Sequence, residues 1–245
     1  MTKTAAPTTL AAFPVALGGR VFFAAWCWIL SLGFFAAEAI VQAASKAPYS
    51  MVENYISDLG ATRCGTVTIQ MYEAYVCSPM HGLMNTAYVT VGALAAIGAL
   101  LSRPAWPAGK QATTGLALVG IAGIGAVIAG AYPEDVNLDL HLLGALLAVP
   151  MSNIGMLLLA LSLRRHMPAL AIFTGLMVLV GLTGLVLTTI PQLGIGIGLT
   201  ERLAGYPFEI WKTVIGTLIL IAGLRRSTPD TNRPATEPTR KRRSR

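Results

Sequence analysis

Residues 20–44 read RVFFAAWCWILSLGFFAAEAIVQAA, an apolar run broken inside only by Glu38 and a few small polar residues. About 20 such residues at 1.5 Å each cross a hydrocarbon core of roughly 30 Å. The apolar part is longer than the 7–15 residues of a signal peptide's middle region, so it predicts an uncleaved membrane helix. The same pattern recurs at about 79–101, 112–132, 138–163, 168–190 and 206–224. Hydrophobic residues make up 54% of the chain and charged ones 12%, with a mean hydropathy of +0.64, too little polar surface for a soluble domain. The expected fold is all-α, an integral bundle of six transmembrane helices.

Working outward from these spans, residues 1–19 form an N-terminal segment, 20–224 the membrane domain, and 225–245 a Pro- and Thr-rich basic tail expected to be disordered. With both termini cytoplasmic, 14 of the 18 Lys and Arg residues fall on the inner side, the bias expected of inner loops. That topology implies a plasma-membrane protein. The net charge of +7 does not signal nucleic acid, because the basic residues lack interleaved aromatics and any recognition motif. Membrane lipids are the expected partners. Small residues Ala122, Ala126 and Gly130 fall at four-residue spacing, a stripe that lets helices approach closely, and Pro150 is placed to kink the fourth span.

The only long polar connection, residues 45–78, lies outside in this topology. It holds Cys64 and Cys77, which an oxidising compartment would bridge; the alternative is two free thiols. The bridge would close a loop of about 13 residues and contribute about 3 kcal/mol in the chain-entropy picture.

Nine of the eleven carboxylates collect toward the outer face: Glu38, Glu53, Asp58, Glu73, Glu134, Asp135, Asp139, Glu201 and Glu209. His81 and His141 join them at the starts of the second and fourth spans, and Arg202 and Lys212 at the sixth. Ionisable groups within a span are costly and mark functional sites by default. Asp58, His81 and His141 therefore form an expected acid–base set, and are also the candidate ligands of a divalent metal. Glu38, Asn54, Ser57, Asp139, Arg202, Glu209 and Lys212 are expected to line a substrate pocket, with Arg202 or Lys212 meeting an anionic headgroup. Each also has a local reading. Ser78-Pro79 and Asn137 suit helix starts, Glu209 and Lys212 pair at i, i+3, and Ser57-Asp58-Leu59-Gly60 suits a turn. No HExxH, CxxC or G-x-S-x-G pattern fixes a chemistry.

The string Asn54-Tyr55-Ile56-Ser57-Asp58-Leu59-Gly60 after the first span resembles the N-x-x-S-D-L-G signature of a prokaryotic membrane family, domain of unknown function 998. Tyr132-Pro133-Glu134-Asp135 followed by His141, and Glu201-Arg202 before the last helix, are similar as well. The resemblance covers about residues 20–224 and implies a compact six-helix bundle with a polar outer pocket, without assigning a reaction. A fainter similarity, to ceramidase-like hydrolases, rests on Asn54, Ser57, Asp58 and a histidine, and this chain lacks their terminal H-x-x-x-H. The expected function is binding or processing of a lipid-like or amphiphilic substrate at an outward-facing pocket. As an enzyme the chain would be a membrane-embedded hydrolase or transferase. The alternatives are a non-catalytic structural or sensing protein, or a small-molecule transporter; the latter fits less well with polar groups at one face rather than the midplane.

Overall fold

A computed structural model describes residues 18–227; most of the expected N-terminal segment and of the basic tail lies outside them. The first span is two collinear pieces, α1 (Gly19–Leu30) and α2 (Gly33–Ala44). At the junction Leu32 N–H donates to the Ile29 carbonyl and Phe34 N–H to that of Ser31, tightening the turn from i−4 to i−3 bonding. Five more long apolar helices follow: α3 (His81–Ser102), α4 (Lys110–Ala131), α5 (Leu138–Leu163), α6 (Pro168–Thr188) and α7 (Ile197–Ser227). Among the described residues six helical stretches are long and apolar enough to cross a membrane, and the protein is a multi-pass membrane protein by that measure.

Two boundaries differ from the sequence reading. α3 begins at His81, two residues after the expected start at about 79, and α7 begins at Ile197, nine residues before the expected Tyr206. The glycines of the 191–205 segment suggested a connector. Only Gly194 and Gly196 serve as one, both at positive φ, while Gly198 and Gly205 are helical. α5 and α7 run without a break through Pro150 and Pro207.

The spans close into a ring: α1–α2 packs on α3, then α4, α5, α6 and α7 follow in turn, and α7 returns to α1. Glycines on opposite faces of α4 set the closest approaches. A Cβ on Gly123 would lie 2.4 Å from the Gly92 carbonyl of α3, and one on Gly125 would lie 2.5 Å from the Ala148 nitrogen of α5. Leu100, Leu146, Ile172 and Leu179 point outward as part of an apolar belt.

Between α2 and α3 stands a two-stranded antiparallel hairpin, β1 (Gly65–Ile69) and β2 (Tyr72–Val76), with Gly65 opposite Val76 and Ile69 opposite Tyr72. Its alternation of Val67 and Ile69 with threonines is a half-buried strand pattern inside the segment read from sequence only as a long polar connection. One further step along the register places Cys64 opposite Cys77, and the two are joined as a disulfide with Cα atoms 4.1 Å apart.

The ring interior is filled differently at its two ends. Far from the hairpin, Trp28, Trp106 and Trp211 pack with ring centroids 5.5–6.4 Å apart above Met156, Leu159 and Leu163. Toward the hairpin the packing is looser and polar groups enter.

Candidate functional site

The hairpin end is tied together by Arg202 of α7. Its Nη2 donates to Glu38 Oε1 of α2 at 2.9 Å and to the Tyr49 hydroxyl at 2.5 Å; its Nη1 donates to the carbonyls of Met51, Asn54 and Gly198 at 2.9–3.0 Å. Nε donates to the Tyr206 hydroxyl, which in turn donates to Glu38 at 2.7 Å. All guanidinium donors are used and Arg202 is only 4% exposed, so its planar fork serves as a tie between two helices and a loop. The neighbouring Glu201 adds one more tie, accepting the Ile56 backbone N–H at 2.5 Å through Oε2. Of the two residues expected to meet an anionic headgroup, Arg202 has every donor engaged, whereas Lys212 gives one side-chain hydrogen bond.

The N-x-x-S-D-L-G segment folds on itself. Asn54 accepts the Ser50 N–H at 2.9 Å and donates to Tyr72, while Asp58 Oδ2 accepts from both Asn54 and the Tyr72 hydroxyl. Ser57 to Gly60 form a buried 3-10 turn whose last carbonyl accepts from Asn85 of α3 at 2.8 Å. Beside Asp58 and Ser57 lies Glu134, from the α4–α5 turn. It is 5% exposed, and its carboxyl interacts with the Ser57 hydroxyl and the Asp58 carboxylate. Burial, and then the nearby Asp58 charge, push the Glu134 carboxyl up to about 9; burial also raises Asp58. The next residue, Asp135, caps Thr62 and Arg63 through their backbone N–H groups at 2.8 and 3.0 Å.

Below this layer the helices line a partly open cavity of about 120 Å³. Its walls are mostly small and apolar, with Gly92, Ala126 and Ala148 giving the space and Phe34 and Tyr88 closing one side. His141, Glu201 and Tyr206 meet it at the hairpin end. His141 Nδ1 lies 3.1 Å from the carbonyls of both Ala129 and Tyr132. Carbonyls only accept, so Nδ1 carries the proton and Nε2 is the basic nitrogen. At the deep end are Glu209 and Lys212, with Nζ 2.9 Å from Oε1 and 4.6 Å from the Phe208 ring centre. Glu209 is 12 residues past Ile197, about 18 Å into the helix, so this pair lies near the middle of the apolar stretch rather than in the first turns expected for it.

Residues 29–218 match the family described as "Protein of unknown function (DUF998)". The chain belongs to this family. No curated protein and no solved structure matches it. The stretch shared with DUF998 takes in the Arg202 tie, the disulfide-closed hairpin and the cavity.

Within this DUF998 fold the expected site residues divide into three groups. Glu209, Lys212 and His141 meet the cavity, whereas Glu38, Asn54 and Arg202 bond to one another or to nearby loops. Asp139 is exposed in the first turn of α5 and does not line the cavity. The expected Asp58–His81–His141 set is not drawn together by direct hydrogen bonds. Asp58 is held by Tyr72 and Asn54, His141 by two carbonyls, and no hydrogen bond joins half-buried His81 to either. Among the described residues no three His, Cys, Asp or Glu side chains gather as metal ligands. Nor does a hydrogen bond join Ser57 to a histidine. Tyr49, Tyr72 and Tyr206 were missed because a tyrosine in an apolar sequence reads as an interfacial anchor until its hydroxyl's partner is known.

Proposed function

We propose that this protein binds a lipid-like or amphiphilic molecule inside the membrane domain, with the hairpin end facing the extracytoplasmic side. The observation that carries the reading is the cavity itself, an apolar space with ionisable groups at both ends. Its size sets what enters. A dry engineered cavity of about 150 Å³ holds benzene, so about 120 Å³ takes a ring or a short chain segment, not a whole lipid. The remainder of a larger ligand would stay between helices. The sidedness rests on the distribution of Lys and Arg and agrees with the Cys64–Cys77 disulfide, which belongs to an oxidising compartment.

His141 Nε2 is the group best suited to take a proton from a bound molecule, which makes chemistry at the hairpin end of the cavity a secondary role of the same site. The test is native mass spectrometry of the protein released from detergent. Wild type should carry a bound small molecule, and Ala148→Leu, which fills the cavity, should lose it while keeping its circular dichroism spectrum. Equal retention by the two proteins, or no bound mass in wild type, would remove the reading.

A further inference from the structure

We infer that the deep end of the cavity recognises an uncharged hydroxyl, so that the ligand is a membrane-soluble alcohol rather than an acid, an amine or a pure hydrocarbon. This rests on the reading of the cavity as a ligand site and specifies its ligand class.

Lys212 is 1% exposed and Glu209 9%, and both line the cavity at its membrane-buried end. Their pairing is incomplete. Nζ gives one hydrogen bond, to Glu209 Oε1 at 2.9 Å, and sits over the Phe208 ring at 4.6 Å. An ammonium has three protons, so donors remain. On the acid, Oε2 is buried with no hydrogen-bond partner. One unused acceptor and unused donors therefore lie on neighbouring side chains of one helix, and both residues line one small apolar space. Leaving such groups unmet in a low-dielectric interior is costly, and a group that is both donor and acceptor would satisfy both.

Charge and reach select among the groups that could do so. The pair is neutral as a unit, so a ligand carboxylate or phosphate meets the Glu209 charge, and a ligand ammonium meets Lys212. Arg202, the other buried cation among the described residues, is saturated. A hydrocarbon leaves both groups as they are. A hydroxyl gives its proton to Glu209 Oε2 and accepts one from Lys212 Nζ, with its apolar body against Ala148 and Gly92. Ser152, whose own proton goes to the Val149 carbonyl at 2.9 Å, adds an acceptor to the same wall.

The experiment compares four probes of one shape, namely benzyl alcohol, toluene, benzoate and benzylamine. Binding to the full detergent-solubilised chain is read by saturation-transfer NMR, with partition into empty micelles subtracted. Benzyl alcohol should bind on the order of tenfold tighter than toluene, the discrimination given by one or two hydrogen bonds to charged groups. The double variant Glu209→Gln with Lys212→Met should bind toluene as before and lose the preference. Ala148→Leu should lose both probes. If toluene binds as well as benzyl alcohol, or the preference survives in the double variant, the hydroxyl assignment falls while the cavity reading stands. Tighter binding of benzoate or benzylamine overturns the assignment in the same way. If no probe binds, both fall.

Discussion

Helix α7 carries two buried ionic clusters, centred on Arg202 and on Glu209–Lys212, two turns apart on its interior face. They differ in saturation. Around Arg202 every donor has a partner, drawn from α2, α7 and the Tyr49–Asn54 segment; at Glu209–Lys212 an oxygen and part of an ammonium have none. A buried ion pair is weak evidence of stability, because desolvation offsets the Coulomb gain. What distinguishes the two is what surrounds them: a filled network fixes a structure, and the unfilled one lies beside the cavity where the proposed ligand would sit. The largest effect should follow from breaking the filled one. Arg202→Ala leaves Glu38 buried and unpaired and releases three carbonyls, an expected loss of about 3–5 kcal/mol read as the thermal midpoint in detergent. Arg202→Lys should recover little, since one ammonium cannot replace a planar fork. Near-wild-type stability in Arg202→Ala would make the two clusters equivalent.

The segment that Arg202 holds is also closed covalently. Replacing Cys64 and Cys77 with serine should cost about 3 kcal/mol or less, and the cost should concentrate in the hairpin. Limited proteolysis reads it as faster cleavage within residues 45–78 and unchanged cleavage elsewhere. Equal rates would show that Arg202 and the 3-10 turn suffice to hold the segment.

Glu134 bears on the same comparison from outside the spans, as a buried acid set against a second acid, Asp58, rather than a cation. Folding raises its pKa from an ordinary 4.5 to about 9, so the folded chain keeps a proton that the unfolded chain has released. The resulting stabilisation is complete below about 4.5 and is lost as pH climbs toward 9. Wild type should therefore be less stable at pH 9 than at pH 5, by up to about 2 kcal/mol, after allowance for the charge shared with Asp58. Glu134→Gln should lose most of that slope. An unchanged slope would mean that Asp58 or Glu201, the nearby acids, holds the proton instead.

The bundle was legible because span length and apolarity are local properties, counted along one strand of chain. The six spans and the polar loop with its two cysteines were accordingly readable. Even there the α7 start was missed, because Gly198 and Gly205 argued for a connector. Gly198 is in fact required by packing, since a Cβ on it would lie 2.1 Å from the Asn54 carbonyl. The site was less legible. Sequence put His81, His141 and Asp58 at one depth, but depth is a single coordinate, and which way each side chain turns depends on partners far along the chain. Glu38 finds Arg202 from 164 residues away. The late start assigned to α7 also placed Glu209 and Lys212 near the surface, which hid the deep end of the cavity.

The smallest expected effect on stability is at the unfilled cluster. Lys212→Met alone strands the Glu209 carboxylate, and Glu209→Gln alone strands the ammonium, so each single change should destabilise. Changing both removes the two desolvation penalties together with the attraction, and buried pairs replaced in this way are often neutral or stabilising. The double variant should therefore lie within about 1 kcal/mol of wild type, with a coupling energy of about 2 kcal/mol or more between the two sites in the cycle. The same cycle on Glu38→Gln and Arg202→Met should leave the double variant strongly destabilised, because the Met51, Asn54 and Gly198 carbonyls lose their donors whatever happens to the charges. If the Glu209–Lys212 double variant is as unstable as the Glu38–Arg202 one, the deep pair is a structural tie too, and its open hydrogen-bonding positions lose their claim to a ligand.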